Sequence, residues 1–375
     1  MTSPIEELLA SHVEHGTIPG AVAIVGGPDA EPVAVGRAGV RGEALRPDAI
    51  FRIQSMTKAV TSVAALRLVE QGRIQLDDPV ERWLPELADR RVLVSPGAGL
   101  DDTVPAPRQI TLRHLLTNTS GYGQIIDDTP LHDAMIANGT EAGPEPVELG
   151  ADEWLARLSE LPLAFAPGEG WRYHLSFGLL GILISRVTGR RTGDHLRDDL
   201  FAPLGMVDTG FFAPEAAAHR LPAAYRHDGS GLIETEPAGG GFYAGEPPFV
   251  VDHAELVSTA ADYARFLRML AAGGVANGER MLSAEHLAMM TSDQVPAGAK
   301  TPESFFPGFW DGMGWGFGVG VQTTGAHAGR YGWSGGQGTD FYVDPDGTIG
   351  LLLIQVEMGP AVFPLLGEFQ EIPSR

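Results

Sequence analysis

The sequence predicts an α/β (α+β) fold: an antiparallel sheet flanked by helices, interrupted by an inserted all-helical domain. Three observations carry that expectation. Strand-like runs lie near both ends of the chain, around residues 20–39 and beyond 310. A helical, proline-punctuated stretch fills the middle, and no internal repeat connects the two kinds of segment. Residues 1–75 and 190–375 are accordingly assigned to a discontinuous α/β sandwich and residues 76–189 to a helical domain. A site is expected in the cleft between them.

The elements follow in order. "MTSPIEELLASHVEHG" reads as an acidic amphipathic helix without the basic and apolar regions of a secretory signal. "GAVAIVGGPDAEPVAVGRAG" is two β-branched runs around a "GGPD" turn, the pattern of a hairpin. In "SMTKAVTSVAALRLVEQG", Val60, Val63, Ala64 and Leu66 recur at helical spacing up to Gly72. "LDDPVERWLPEL", "TLRHLLTN", "GADEWLARLSEL" and "LSFGLLGILISRVTG" continue as helical segments, with "VSPGAGLDDTVPAPRQ" as a loop among them. "AGGGFYAGEPP" is a loop rather than a phosphate cradle, because no strand–turn–helix surrounds it. "TAADYARFLRMLAAGG" is a helix closed by Gly273, and "GWGFGVGVQT", "YGWSGGQGTDFYVDP" and "TIGLLLIQVEM" are consecutive strands.

Composition narrows the function. A formal charge of −22 over 375 residues argues against nucleic acid or an anionic membrane as partner. No apolar run approaches the ~20 residues of a membrane span, so a cytoplasmic protein is expected. Zero cysteines exclude disulfides, thiol nucleophiles and thiolate metal sites. The 11 histidines show no metal-ligand spacing, so neither metal nor cofactor is expected.

One residue choice stands out. The chain has two lysines, Lys58 and Lys300, against 24 arginines. Lys58 follows Ser55 by three residues at the start of an apolar helix, where such positions share a face. A serine hydroxyl needs an adjacent base to become a nucleophile, and a desolvated lysine can be that base. Arginine cannot, because it keeps its proton. Two further segments join this pair. Tyr173 directly precedes an apolar helix and could relay a proton, although a core tyrosine reads the same way. "YGWSGGQGT" offers a glycine amide, at Gly336, that could pair with the amide of Ser55 as an oxyanion hole. Trp333 in that segment could equally be plain packing.

Taken together these segments resemble the serine β-lactamase and penicillin-binding-protein-like superfamily, in particular its class C-like branch of β-lactamases, D-aminopeptidases, carboxylesterases and transacylases. "SMTK" matches the Ser-x-x-Lys motif, and "TLRHLLTNTSGYG", with Tyr122, is similar to the branch's "HLLTHTSG" segment. "FAPGEGWRYHLSFGLLG" matches the tyrosine segment, and "LFAPLGMVDTGF", "LVSTAADYARFLRML" and "YGWSGGQGT" follow in the family's order, over about residues 15–355. The resemblance implies a β-lactamase/transpeptidase-like fold, an acyl-enzyme on Ser55, and Lys58 with Tyr173 as the base. Where many relatives have Tyr-x-Asn this chain has Leu175. Where they have a cation before the third-motif glycine it has Trp333, followed by Ser334 and Gly335. Both departures point to small uncharged esters, with acyl transfer or amide hydrolysis as the alternative and a β-lactamase or a non-catalytic homologue further off. The substrate wall is expected from Trp333, Ser334, Gly335, Leu175, Tyr122 and Trp310. Phe305, Phe306, Phe309 and Trp310 form either an aromatic loop at the pocket or simple packing. Asp252, His253 and Glu255 read as loop surface or, alternatively, the edge of the site. The oligomeric state is not legible.

Overall fold

The computed structural model describes residues 3–141, 143, 147–247 and 254–372. At its centre lies a seven-stranded antiparallel sheet. Its strands are β1 (Gly20–Gly26), β2 (Val33–Gly36), β3 (Met313–Trp315), β4 (Gly320–Gln322), β5 (Tyr331–Gly335), β6 (Thr339–Val343) and β7 (Ile349–Leu353). Across the sheet they run β3-β4-β5-β6-β7-β1-β2. The two ends of the chain therefore meet where β1 pairs with β7, with Val22 opposite Leu353 and Ile24 opposite Leu351.

Strand alternation sorts the side chains into two layers. Ala21, Ala23, Leu352 and Tyr342 face the terminal helices Pro4–Glu14 and Phe363–Gln370. Val22, Ile24, Phe341, Leu351 and Leu353 face the helices Thr57–Glu70 and Ala260–Ala271. Because both faces are covered, β1 reads as a continuous apolar run rather than an alternating one. The first helix is started by Ser3, whose hydroxyl accepts from the Glu6 amide while the Glu6 carboxylate accepts from the Ser3 amide.

The middle of the chain is mostly helical and is built around the helix Leu175–Thr188, whose residues Leu175 to Ile184 are all buried. It is not purely helical, as the sequence had suggested. Pro79 and Pro85 break "LDDPVERWLPEL" into two 3₁₀ turns, Val80–Arg82 and Pro85–Leu87. The expected loop over residues 94–109 instead holds a strand, Thr103–Pro105, which forms a small hairpin with Arg91–Leu93 just before it, Val92 lying opposite Val104. Its β-branched residues flank a glycine-bearing turn, and Leu93 also donates its amide to the Leu163 carbonyl at 3.0 Å. Among the described residues no helix is long and apolar enough to cross a membrane.

One buried carboxylate on the sheet has a measurable consequence. Asp340 is fully buried on β6, and that burial pushes its carboxyl up to about 6 against the pull of Gln370, Ser334 and Arg330. Its folded value lies above the unfolded one, so the native state holds more protons between about pH 4 and 6, and stability falls as pH rises through that window. Asp340→Asn should remove this slope, which is of the order of 2 kcal/mol. Urea unfolding at pH 4.5 and 7 checks it: an unchanged difference between the two pH values in the variant would contradict the assignment.

Candidate active site

The segment before Ser55 is held rigidly. Phe51–Arg52 pairs with Val257–Ser258, and the chain then turns through Gln54 at φ 50°, in the left-handed region. Ser55 lies in a 3₁₀ turn, Gln54–Met56, and the α-helix begins only at Thr57. The helix thus starts two residues later than the motif suggested. The pairing survives because 3₁₀ geometry eclipses positions i and i+3. Lys58 Nζ is 2.9 Å from Ser55 Oγ.

Lys58 is 0% exposed. Its Nζ stands 4.5 Å from the centre of the Tyr173 ring and 6.0 Å from that of Phe177, and 3.4 Å from His174 Nδ1. Burial disfavours the ammonium and lowers its pKa well below the ordinary lysine value. An amine so placed can accept a proton from the hydroxyl beside it.

Tyr173 is buried, which raises its phenol pKa, while hydrogen bonds to Ser55 and Trp333 pull the other way. The Trp333 indole donates to Tyr173 Oη at 2.5 Å. Trp333 is therefore more than the apolar face expected from the sequence: its N–H fixes the phenol. Around these two rings lies an aromatic cluster. Trp171 stacks on Tyr173 at 6.0 Å, Phe305 lies 5.2 Å from Tyr173, and Trp315 meets Trp333 edge-on at 4.6 Å. Trp310 sits behind, edge-on to Trp171 at 5.2 Å, its indole donating to Ser304 at 2.7 Å. The loop of Phe305, Phe306, Phe309 and Trp310 thus packs on the aromatic cluster around Tyr173.

The third motif reaches Ser55 through small residues. A Cβ on Gly335 would stand 2.4 Å from the Ile53 carbonyl and 2.2 Å from Thr339 Oγ1, so only glycine lets β5 approach the Ser55 turn. Gly336 lies alongside, where an added Cβ would be 3.8 Å from Gln54 Oε1.

Three of the expected wall residues are not brought to this place. Ser334 points to the opposite face of β5 and donates to Asp340 Oδ1 at 3.0 Å, because neighbours on a strand alternate faces. Leu175 is 1% exposed in the main core, and Tyr122 is buried with it around one small interior void. Glu255 is buried rather than on a loop surface, and its Oε1 accepts from the Val147 amide at 3.3 Å. Asp252 and His253 lie outside the described residues.

Other residues at the site carried no signal of their own in the sequence. Gln54 donates to Tyr243 Oη at 3.1 Å and braces the Ser55 turn from behind. Arg52, 1% exposed, supports the same turn through Glu236, the Pro222 carbonyl at 2.8 Å and Gln355 at 3.0 Å. Trp171 could have been found by extended-chain parity, since it stands two residues before Tyr173. His174 had no comparable cue.

The chain matches the β-lactamase family over residues 5–364. It belongs to that family. Among β-lactamase-family relatives, the Mycobacterium tuberculosis protein Rv1367c is 35% identical over 324 residues, 84% of this chain and 79% of its own. Esterase EstB of Burkholderia gladioli is 32% identical over 339 residues, with the same shares of 84% and 79%. Among solved structures, EstCE1, a hydrolase with promiscuous acyltransferase activity, superposes with a TM-score of 0.77. It is 25% identical, and the match covers 96% of this chain and 95% of that one. The β-lactamase/transpeptidase fold read from the motifs is thus the fold of the chain.

A buried amine in this family's fold has a cost that a variant can reveal. Lys58 has a folded pKa below its unfolded one, so its contribution to stability is present at high pH and lost as pH falls below the ordinary lysine value. Lys58→Met should therefore melt above the parent at pH 7, with the gap closing toward pH 10. It should have no turnover. Lys58→Arg, a permanent cation, should be equally inactive. A less stable Lys58→Met, or an active Lys58→Arg, would contradict the neutral amine.

Proposed function

We propose that this protein is a serine hydrolase that forms an acyl-enzyme on Ser55 and acts as a carboxylesterase on small esters. The observation that carries the reading is the continuous contact from Ser55 Oγ to Lys58 Nζ, with the Tyr173 phenol bonded to both Ser55 and the Trp333 indole. Ser55 passes its proton to the neutral Lys58 amine as Oγ attacks the ester carbonyl. The amides of Ser55 and Gly336 receive the oxyanion. As the tetrahedral intermediate collapses, the leaving alkoxide takes the Tyr173 proton, and the Lys58 ammonium restores it. Water then repeats the sequence in reverse and frees the acid. The site lies in a cleft between a discontinuous α/β domain, residues 1–75 and 190–375, and the helical domain, residues 76–189.

Substrate choice follows from the wall. An indole with its only donor committed to Tyr173 offers nothing to a substrate carboxylate, and the partly exposed rings of Trp333 and Phe305, backed by the buried Trp171 and Trp315, favour an apolar acyl group. Leu175 does not enter this argument, because it lies in the core rather than beside the substrate. A second reading, acyl transfer to an alcohol or amine, draws support from the likeness to EstCE1, a hydrolase with promiscuous acyltransferase activity. The two share the first half-reaction and differ only in what attacks the acyl-serine.

The test compares kcat/KM for p-nitrophenyl butyrate with that for a chromogenic cephalosporin. The ester should lead by roughly a hundredfold or more, since a β-lactam would bury an acid group without a partner. Intact-mass measurement should find a butyryl adduct that is missing in Ser55→Ala. A faster cephalosporin would overturn the esterase reading. New ester formed when an alcohol is added would move acyl transfer ahead of hydrolysis.

A further inference from the structure

His174 follows Tyr173 directly, yet it has no part in the scheme above. Its backbone stands at φ 90°, ψ −73°, the rare and strained region of a γ-turn that a β-carbon strongly disfavours. Glycine would adopt this conformation freely. The chain nevertheless holds a histidine there, fixed on either side by Gln124 donating to the Tyr173 carbonyl at 2.7 Å and Phe177 donating to the His174 carbonyl at 3.0 Å. The strained turn brings the ring inward: His174 is 9% exposed, and its Nδ1 lies 3.4 Å from Lys58 Nζ.

The chemistry of a neutral amine gives that contact a purpose. A primary amine has two N–H bonds and one lone pair, and it can serve Ser55 only when the lone pair faces Oγ. We propose that His174 is a positioning residue for Lys58: its Nδ1 accepts a hydrogen bond from the amine and so turns the lone pair toward Ser55. The bond requires Nδ1 without a proton, which assigns the ring proton to Nε2. When Ser55 gives up its proton, the amine becomes an ammonium with one N–H more, and the bond to Nδ1 persists. That proton afterwards leaves with the alcohol through Tyr173, so His174 neither gains nor loses one. The strain at residue 174 is then the local cost of holding an acceptor where glycine would hold none.

This inference rests on the reading of Ser55 as nucleophile and Lys58 as base, and the experiment separates the two. His174→Gly removes the ring and relieves the backbone, so it should melt at or above the parent temperature. Its kcat for p-nitrophenyl butyrate should fall roughly tenfold, the scale of one hydrogen bond that orients a base, with KM within about twofold. His174→Asn carries an amide oxygen at the branch position of Nδ1 and should recover most of the lost kcat. A His174→Gly enzyme with parental kcat, or an Asn variant no better than Gly, would overturn the positioning role. Ser55→Ala, assayed alongside, tells the two failures apart. Turnover in Ser55→Ala would sink the nucleophile assignment and this inference with it, whereas an inactive Ser55→Ala beside a fully active His174→Gly sinks only the role of His174.

Discussion

The rest of the site depends on keeping one amine dry. Lys58 is wholly buried against the faces of Tyr173 and Phe177, and its Nζ touches Ser55. In water that amine would be an ammonium and no base at all. Burial lowers the amine's pKa well below the ordinary value, and nearly every feature around the site serves either to exclude water from Lys58 or to hold its neighbours in register. The aromatic cluster of Trp171, Tyr173, Trp315 and Trp333 closes one side. On the other, Gly318 runs so close to the Ser-Lys helix that a β-carbon would meet the Lys58 carbonyl at 2.6 Å.

The sheet and the turn before Ser55 supply the rigidity. Because β1 pairs with β7, segments from opposite ends of the chain form one platform, and β5 can be pressed against the Ser55 turn through Gly335. Thr339 Oγ1 donates to the Ile53 carbonyl at 3.1 Å, and Gln54 at φ 50° is braced by Tyr243. Behind it the buried guanidinium of Arg52 is matched by Glu236, Gln355 and a backbone carbonyl. Removing one partner from such a network leaves a buried charge exposed to no water, so its members behave as a unit.

Much of this was legible in the sequence, for physical reasons that can be named. A lysine three residues after a serine, in a chain that otherwise uses arginine, is a chemical statement independent of fold. Strand signals at both ends around a helical middle reflect periodicities of 2 and 3.6 that survive without tertiary context. Facing is what the reading lost. Ser334 shares a segment with Trp333 and Gly335, yet strand parity puts Ser334 on the far side, against Asp340. Motif position carries no information about burial for Leu175 and Tyr122, and packing makes both core residues. His174 escaped because a strained backbone dihedral leaves no pattern in a sequence, and the Trp333–Tyr173 bond escaped because it joins residues 160 positions apart.

The two-lysine composition makes the central claim directly measurable. Protein labelled with ¹³C at lysine Cε should give two lysine signals, from Lys58 and Lys300, and Lys300→Arg would assign them. Following the Lys58 signal across pH by NMR reports whether that amine carries a proton. The account predicts a neutral Lys58 at pH 7, with a titration midpoint far below the ordinary lysine value. A Lys58 signal that stays that of an ammonium at pH 7 and titrates near the ordinary value would contradict it, and would leave Ser55 without its base.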